Sequence, residues 1–274
     1  MEMKKQLKFG DDIVGALDNW GEKALVPVSI FAGKHLEVCQ VNRGKFKDND
    51  IRLTEAHAFA WSALGNLISR SAGANIMEDP DVSQQLNLIS HFLQSINLCE
   101  VAVVEGLYLQ AATLLRQEHE IISAVQELGV GKRKDGKTPH ATIGVLKNMG
   151  KAYGELSGVA HVSQSVLLQS IIEMEKGELR GPSAFPIYHR ELARNLYALH
   201  ACYIVLMAKI AGEVNEGIGL SGLSEDEEKM VVLAMSTLHE EGLIDIEEAA
   251  LDKPISESRE GWLNRLVEGH HLAI

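Results

Sequence analysis

Apolar positions recur every three or four residues through most of this chain, the period of an α-helix buried along one side. After Thr54, which reads as an N-cap, Ala58, Phe59, Trp61, Leu64, Leu67 and Ile68 make one such face, ending near the Ser-Ala-Gly-Ala-Asn segment at 71–75. From Ser83, read as the next cap, the pattern runs to Leu128 through Leu86, Ile89, Leu93, Ile96, Val103, Leu107, Leu114, Ile121, Ile122 and Val125 without a proline. That is long for a globular helix, so a break is expected at Glu105-Gly106, and Gly129 and Gly131 end the run. Thr138-Pro139 reads as the cap and first turn of a helix carrying Ile143, Leu146 and Met149, and 151–175 as a further helix with Leu156, Val159, Val162, Val166, Leu167, Ile171 and Ile172. After a connector, Pro186 opens a long helix to Val214, with Leu192, Leu196, Leu199, Tyr203, Leu206 and Ile210 on one side. Ser224 and Glu227 have the spacing of a capping box, and Gly242 closes the helix behind it.

The pattern predicts an all-α protein, a helical bundle of about six to eight helices. Three regions are expected: residues 1–53 as an irregular N-terminal arm punctuated by Trp20, Gly21, Pro27 and Gly33, 54–214 as the bundle core, and 215–274 as an acidic helical C-terminal appendage. Composition agrees, with 46% hydrophobic but only 5% aromatic residues and 6 prolines in 274. The net charge of −12 is unevenly placed: 15 of the 38 acidic and 4 of the 26 basic residues lie in 213–274, which leaves the body nearly neutral. An acidic end segment argues against a nucleic-acid footprint there. The three cysteines, Cys39, Cys99 and Cys202, sit far apart among apolar neighbours and read as reduced and buried, which suits a cytoplasmic protein. The N-terminus lacks the apolar core of a secretory signal, and no transmembrane helix and no membrane partner are expected.

Two short patterns place polar groups in otherwise apolar helices. Arg116 and Glu120 are one turn apart, and Tyr153, Ser157 and His161 lie one turn apart along another stripe. A buried guanidinium or carboxylate needs a partner, so the two stripes are expected to meet. They make either a polar clasp between helices or a pocket in which His161, beside a carboxylate, moves protons near neutral pH.

Leu-Leu-Arg-Gln-Glu-His-Glu at 114–120 and Tyr-Gly-Glu-Leu-Ser-Gly-Val-Ala-His at 153–161 also carry a resemblance. Over roughly residues 85–210 the chain resembles a family of uncharacterised bacterial and phage-associated all-helical proteins, placed near the HEPN superfamily. That resemblance implies a helical bundle, a bacterial source and a link to phage defence or toxin systems, with no settled activity. HEPN ribonucleases carry an Arg-x4–6-His motif. By that resemblance Arg194 and His200 are the candidate catalytic pair, the histidine moving the proton of a ribose 2′-OH and the arginine holding the phosphate. Arg52…His57 and Arg265…His270 have matching spacings.

No P-loop, dinucleotide-binding, HExxH or diiron pattern occurs, and Glu118-His119 offers no metal spacing with a partner helix. No metal and no cofactor are expected. The basic residues Lys132, Arg133, Lys134 and Lys137 read as a mobile solvated loop, and the His270-His271 pair as a surface tail. The expected function is a non-catalytic binding or assembly protein that forms a homo-oligomer or meets a protein partner. A metal-independent HEPN-type ribonuclease, with RNA as its substrate, is the alternative.

Overall fold

The computed structural model describes residues 26–245 apart from 75–78, 162, 164, 177 and 178. The described part is an all-α bundle. Its helices are α1 (Val26–Asn49), α2 (Ile51–Ser71), α3 (Pro80–Val104), α4 (Tyr108–Gly129), α5 (Gly150–Ala160), α6 (Ser165–Ile172), α7 (Arg190–Gly217) and α8 (Glu225–Glu240), with one short 3-10 turn at Gly144–Leu146.

Helix α7 is the axis. Tyr197, Leu199, Ile204, Met207, Ala208 and their neighbours are buried on nearly every side, against α2, α3 and α4. Long and apolar enough to cross a membrane, it has 89% of its most apolar window buried inside the bundle, as a core helix does. Helices α3 and α4 pack as a hairpin, and α8 packs along α2.

The break at Glu105-Gly106 is present: Gly106 takes a φ of +83°, a conformation few other residues adopt. Asn42 of α1 reaches into this turn, donating to the Glu105 carbonyl at 3.0 Å and the Pro186 carbonyl at 3.3 Å. The Ser224–Glu227 capping box is formed, with the Glu227 carboxylate also held by Arg70 at 2.7 and 3.1 Å.

Several boundaries differ from the expectation. The arm is not irregular over 26–49, because Pro27 sits in the first turn of α1, where its missing N–H costs nothing; residues 1–25 lie outside the described residues. Residues 225–240 are not an appendage, since Val231, Ala234, Met235 and Leu238 of α8 belong to the common core. Helix α3 starts at Pro80, not Ser83, because the Asp79 side chain accepts from the amides of Asp81 and Val82. Likewise α2 starts at Ile51, ahead of Thr54. Thr138-Pro139 opens no helix: the following amide, at His140, goes to Glu127 at 2.7 Å, and α5 begins only at Gly150. The helix expected over 151–175 ends at Ala160, where Ser163 caps the Gly158 carbonyl with both its amide and its hydroxyl. Beyond α6 the chain turns into a small antiparallel hairpin, Glu173–Lys176 on Leu179–Pro182. The 186–189 segment precedes α7 rather than forming its first turn.

Candidate functional site

Helix α4 carries polar groups on two sides, and each side organises a separate cluster. Arg116 and Glu120 face α5 at the edge of the bundle. The Arg116 Nε donates to Glu120 Oε1 at 2.9 Å, and Tyr153 OH donates to the same oxygen at 2.8 Å. Arg116 NH1 lies 2.7 Å from His161 Nε2. A guanidinium only donates, so in this contact the His161 Nε2 accepts. The guanidinium also stands 5.8 Å from the centre of the Tyr153 ring. Burial and the Glu120 carboxylate both push the Tyr153 phenol up, so it stays protonated and keeps donating. Ser157 gives its backbone carbonyl to the His161 amide and stands half-buried beside the group. The structure therefore brings Arg116, Glu120, Tyr153 and His161 into one half-buried network tying α4 to α5. In it the arginine and the carboxylate each have protein partners.

Arg194 and His200 do not meet. Arg194 points toward the α1–α2 junction, where its guanidinium pairs with Asp50 and reaches Glu241 at 3.1 Å. Arg190 joins the same carboxylate at 3.1 Å, and Tyr188 OH at 3.3 Å. Burial alone would raise the Asp50 carboxyl, but the two guanidiniums outweigh it and hold it below the ordinary range. His200 is 0% exposed and points the other way, into the core. A ribose cannot reach its ring, and the arginine is already neutralised. The pair expected from the HEPN resemblance does not form an active site within this chain.

His200 belongs instead to the second cluster. Its Nδ1 lies 2.9 Å from Glu118 Oε2, and both side chains are 0% exposed. The His57 ring lies 5.2 Å from the His200 ring and 5.2 Å from that of Tyr197. Burial, and then the neighbouring His200, depress the His57 ring to about 3, so it is neutral at any ordinary pH. Cys99 lies against the carboxylate; burial and then Glu118 push its thiol well up. Sγ of Cys99, a Glu118 oxygen and a His200 ring nitrogen lie within 4.8 Å of one another. Next along α4, His119 spans Tyr203 OH at 2.9 Å on Nδ1 and the Ala141 carbonyl at 2.7 Å on Nε2. The carbonyl accepts only, so Nε2 carries the proton and the tyrosine donates to Nδ1.

In this second cluster the polar capacity is not filled. His57 Nε2, His200 Nε2 and Glu118 Oε1 are buried without a hydrogen-bond partner. Most buried polar atoms in folded proteins are paired, so three orphans within one group demand an explanation. Sequence reading missed this cluster because its members are dispersed at 57, 99, 118 and 200. One signal was present: Glu118 is one turn from Leu115 and Ile122 and two from Val125, all buried, so it had to point inward.

The basic loop is held rather than free. Arg133 donates to the carbonyls of Lys134 and Lys137 at 3.1 and 2.7 Å and reaches Glu127 at 3.4 Å. The Glu127 carboxylate thus offsets part of the charge that Lys132, Lys134 and Lys137 would present to a phosphate. The His270-His271 pair lies outside the described residues. No family model, no curated protein and no solved structure matches the chain.

Proposed function

We propose that this is a non-catalytic assembly protein of the bacterial cytoplasm that works as a homodimer built on α1. The observation carrying this reading is the outer face of that helix. Between residues 27 and 49 only Cys39, Asn42 and Phe46 are buried, while Val28, Ile30, Phe31, Leu36 and Val41 are largely exposed. A helix with apolar residues on all sides is stable when something covers it. Among the described residues Phe31 stacks on the ring of Phe185 at 4.9 Å, and the other four are exposed.

The occupant that fits is a second copy. Ile30, Lys34, Glu37 and Val41 fall on one stripe of the helix, spaced four, three and four residues apart, and all are exposed. Read in reverse, that order is again apolar, charged, charged, apolar, with the charges exchanged. An antiparallel twofold pair therefore sets Ile30 on the other copy's Val41, and Lys34 on the other copy's Glu37, twice over. Gly33 and Gly44 lie beside the stripe with nothing within 4 Å of where a Cβ would stand, so two helices can approach closely there. A link to phage defence or toxin systems rests on the family resemblance alone, and RNA is not part of this reading.

The test is the molar mass of the full chain by light scattering after gel filtration. The wild type is expected at twice the 30.0 kDa chain mass, and Ile30→Asp and Val41→Asp at 30.0 kDa with unchanged helix content by circular dichroism. A monomeric wild type, or variants that stay dimeric, would overturn the reading.

A further inference from the structure

We infer that the four central helices hold a structural zinc ion, with Cys99, Glu118 and His200 as ligands and His57 completing the set. The four residues come one from each of α3, α4, α7 and α2, the way a bundle core builds a metal site from facing helices. Three of them already present ligand atoms within 4.8 Å of one another, all from fully buried side chains. Drawing these atoms onto one ion at zinc–ligand distances of roughly 2.0–2.3 Å needs inward shifts on the order of 1 Å. His57 is the next donor at hand. Its ring stands 5.2 Å from that of His200, and its Nε2 has no other partner.

The orphaned atoms are what distinguish this cluster from an ordinary buried ion pair. His57 Nε2, His200 Nε2 and Glu118 Oε1 have spare capacity in a place water does not reach. A cation beside Glu118 and the Nδ1 edge of His200 takes up the spare carboxylate oxygen and the His57 lone pair.

Charge also balances. Around Zn²⁺, one thiolate and one carboxylate offset the two positive charges and two imidazoles add none, so the occupied cluster is neutral. A doubly charged ion thus enters a dry core with no net charge left over. One thiolate, two imidazoles and one carboxylate in a closed set of four suit zinc, and four protein ligands leave no open position for substrate. The ion therefore braces the bundle and does no chemistry, and the inference stands independently of the α1 pairing.

The experiment refolds the full chain from denaturant in the presence of Zn²⁺, removes free metal by dialysis and counts zinc by mass spectrometry. A parallel sample is refolded with Co²⁺ for its absorption spectrum. About one zinc per chain is expected, and a thiolate-to-cobalt charge-transfer band with tetrahedral d–d bands. Cys99→Ser is expected to abolish the charge-transfer band and lower zinc occupancy at least tenfold, whereas Cys39→Ser leaves both unchanged. A wild type that refolds and retains no zinc overturns the inference without reference to any variant. So does a Cys99→Ser protein that keeps both the metal and the band.

Discussion

Each buried charge in this protein is tolerable only through the specific groups around it, and the side chains differ in how complete that company is. Asp50 and Glu227 have theirs in full: two arginines and a tyrosine for one, Arg70 and the α8 cap for the other. In each, burial raises the carboxyl but the guanidinium partners outweigh it, so the folded-state value lies below the ordinary one. Such groups add stability above the unfolded-state pKa and lose it as pH falls through the folded value. Denaturant midpoints should therefore drop as pH is lowered from roughly 5 toward 3, and Asp50→Asn with Glu227→Gln should flatten that slope. An unchanged slope in the double variant would place the acid sensitivity elsewhere. In the α4–α5 clasp, Tyr153→Phe removes one hydrogen bond to Glu120 and is expected to cost about 1 kcal/mol by urea denaturation. Because His200 is sealed in the core, RNA incubated with the wild type in EDTA should remain intact. The two stripes around 116–120 and 153–161 were legible as groups needing partners, since an unpaired arginine or carboxylate in an apolar helix is costly. The role of His200 was not, since spacing along one helix says nothing about which residues three other helices bring to it.

At the scale of elements, glycines and caps decided what the sequence revealed. The α3–α4 break was readable because Gly106 interrupts a run too long for one helix. Its φ of +83° and the Ile187 carbonyl, which would stand 2.9 Å from an added Cβ, make Gly106→Ala costly on two counts. The variant should lose about 2 kcal/mol in the same denaturation assay. Loss of under a few tenths would mean the turn adjusts freely. The capping box before α8 was readable from Ser224 and Glu227 alone. By contrast α1 was misread because Pro27 and Gly33 resemble breaks, although proline in a first turn and glycine on an open face interrupt nothing. The hairpin at 173–182 was missed because its strands are only four residues each, too short for alternation to stand out from the helical pattern before it.

The molecule as a whole is an all-α bundle wound on α7. That class followed from composition and period, which depend on sums over many residues and survive errors at individual boundaries. The acidic stretch from 215 onward was expected to stand apart. Instead its first helix supplies core residues at Val231, Ala234 and Leu238, so acidity on a helix exterior is no sign that the helix is peripheral. The bundle leaves the outer face of α1 uncovered, and the proposed dimer covers it with a second α1. The most direct measurement is a charge exchange across that twofold, read by sedimentation equilibrium. Lys34→Glu alone sets four carboxylates together on the shared stripe and should weaken the dimer at least tenfold, as should Glu37→Lys with four ammonium groups. Lys34→Glu with Glu37→Lys restores opposite charges and should return the dimerisation constant to near the wild-type value. A double variant no tighter than the sum of its single losses would contradict antiparallel pairing of α1, and a wild type that sediments as a monomer would contradict the assembly itself.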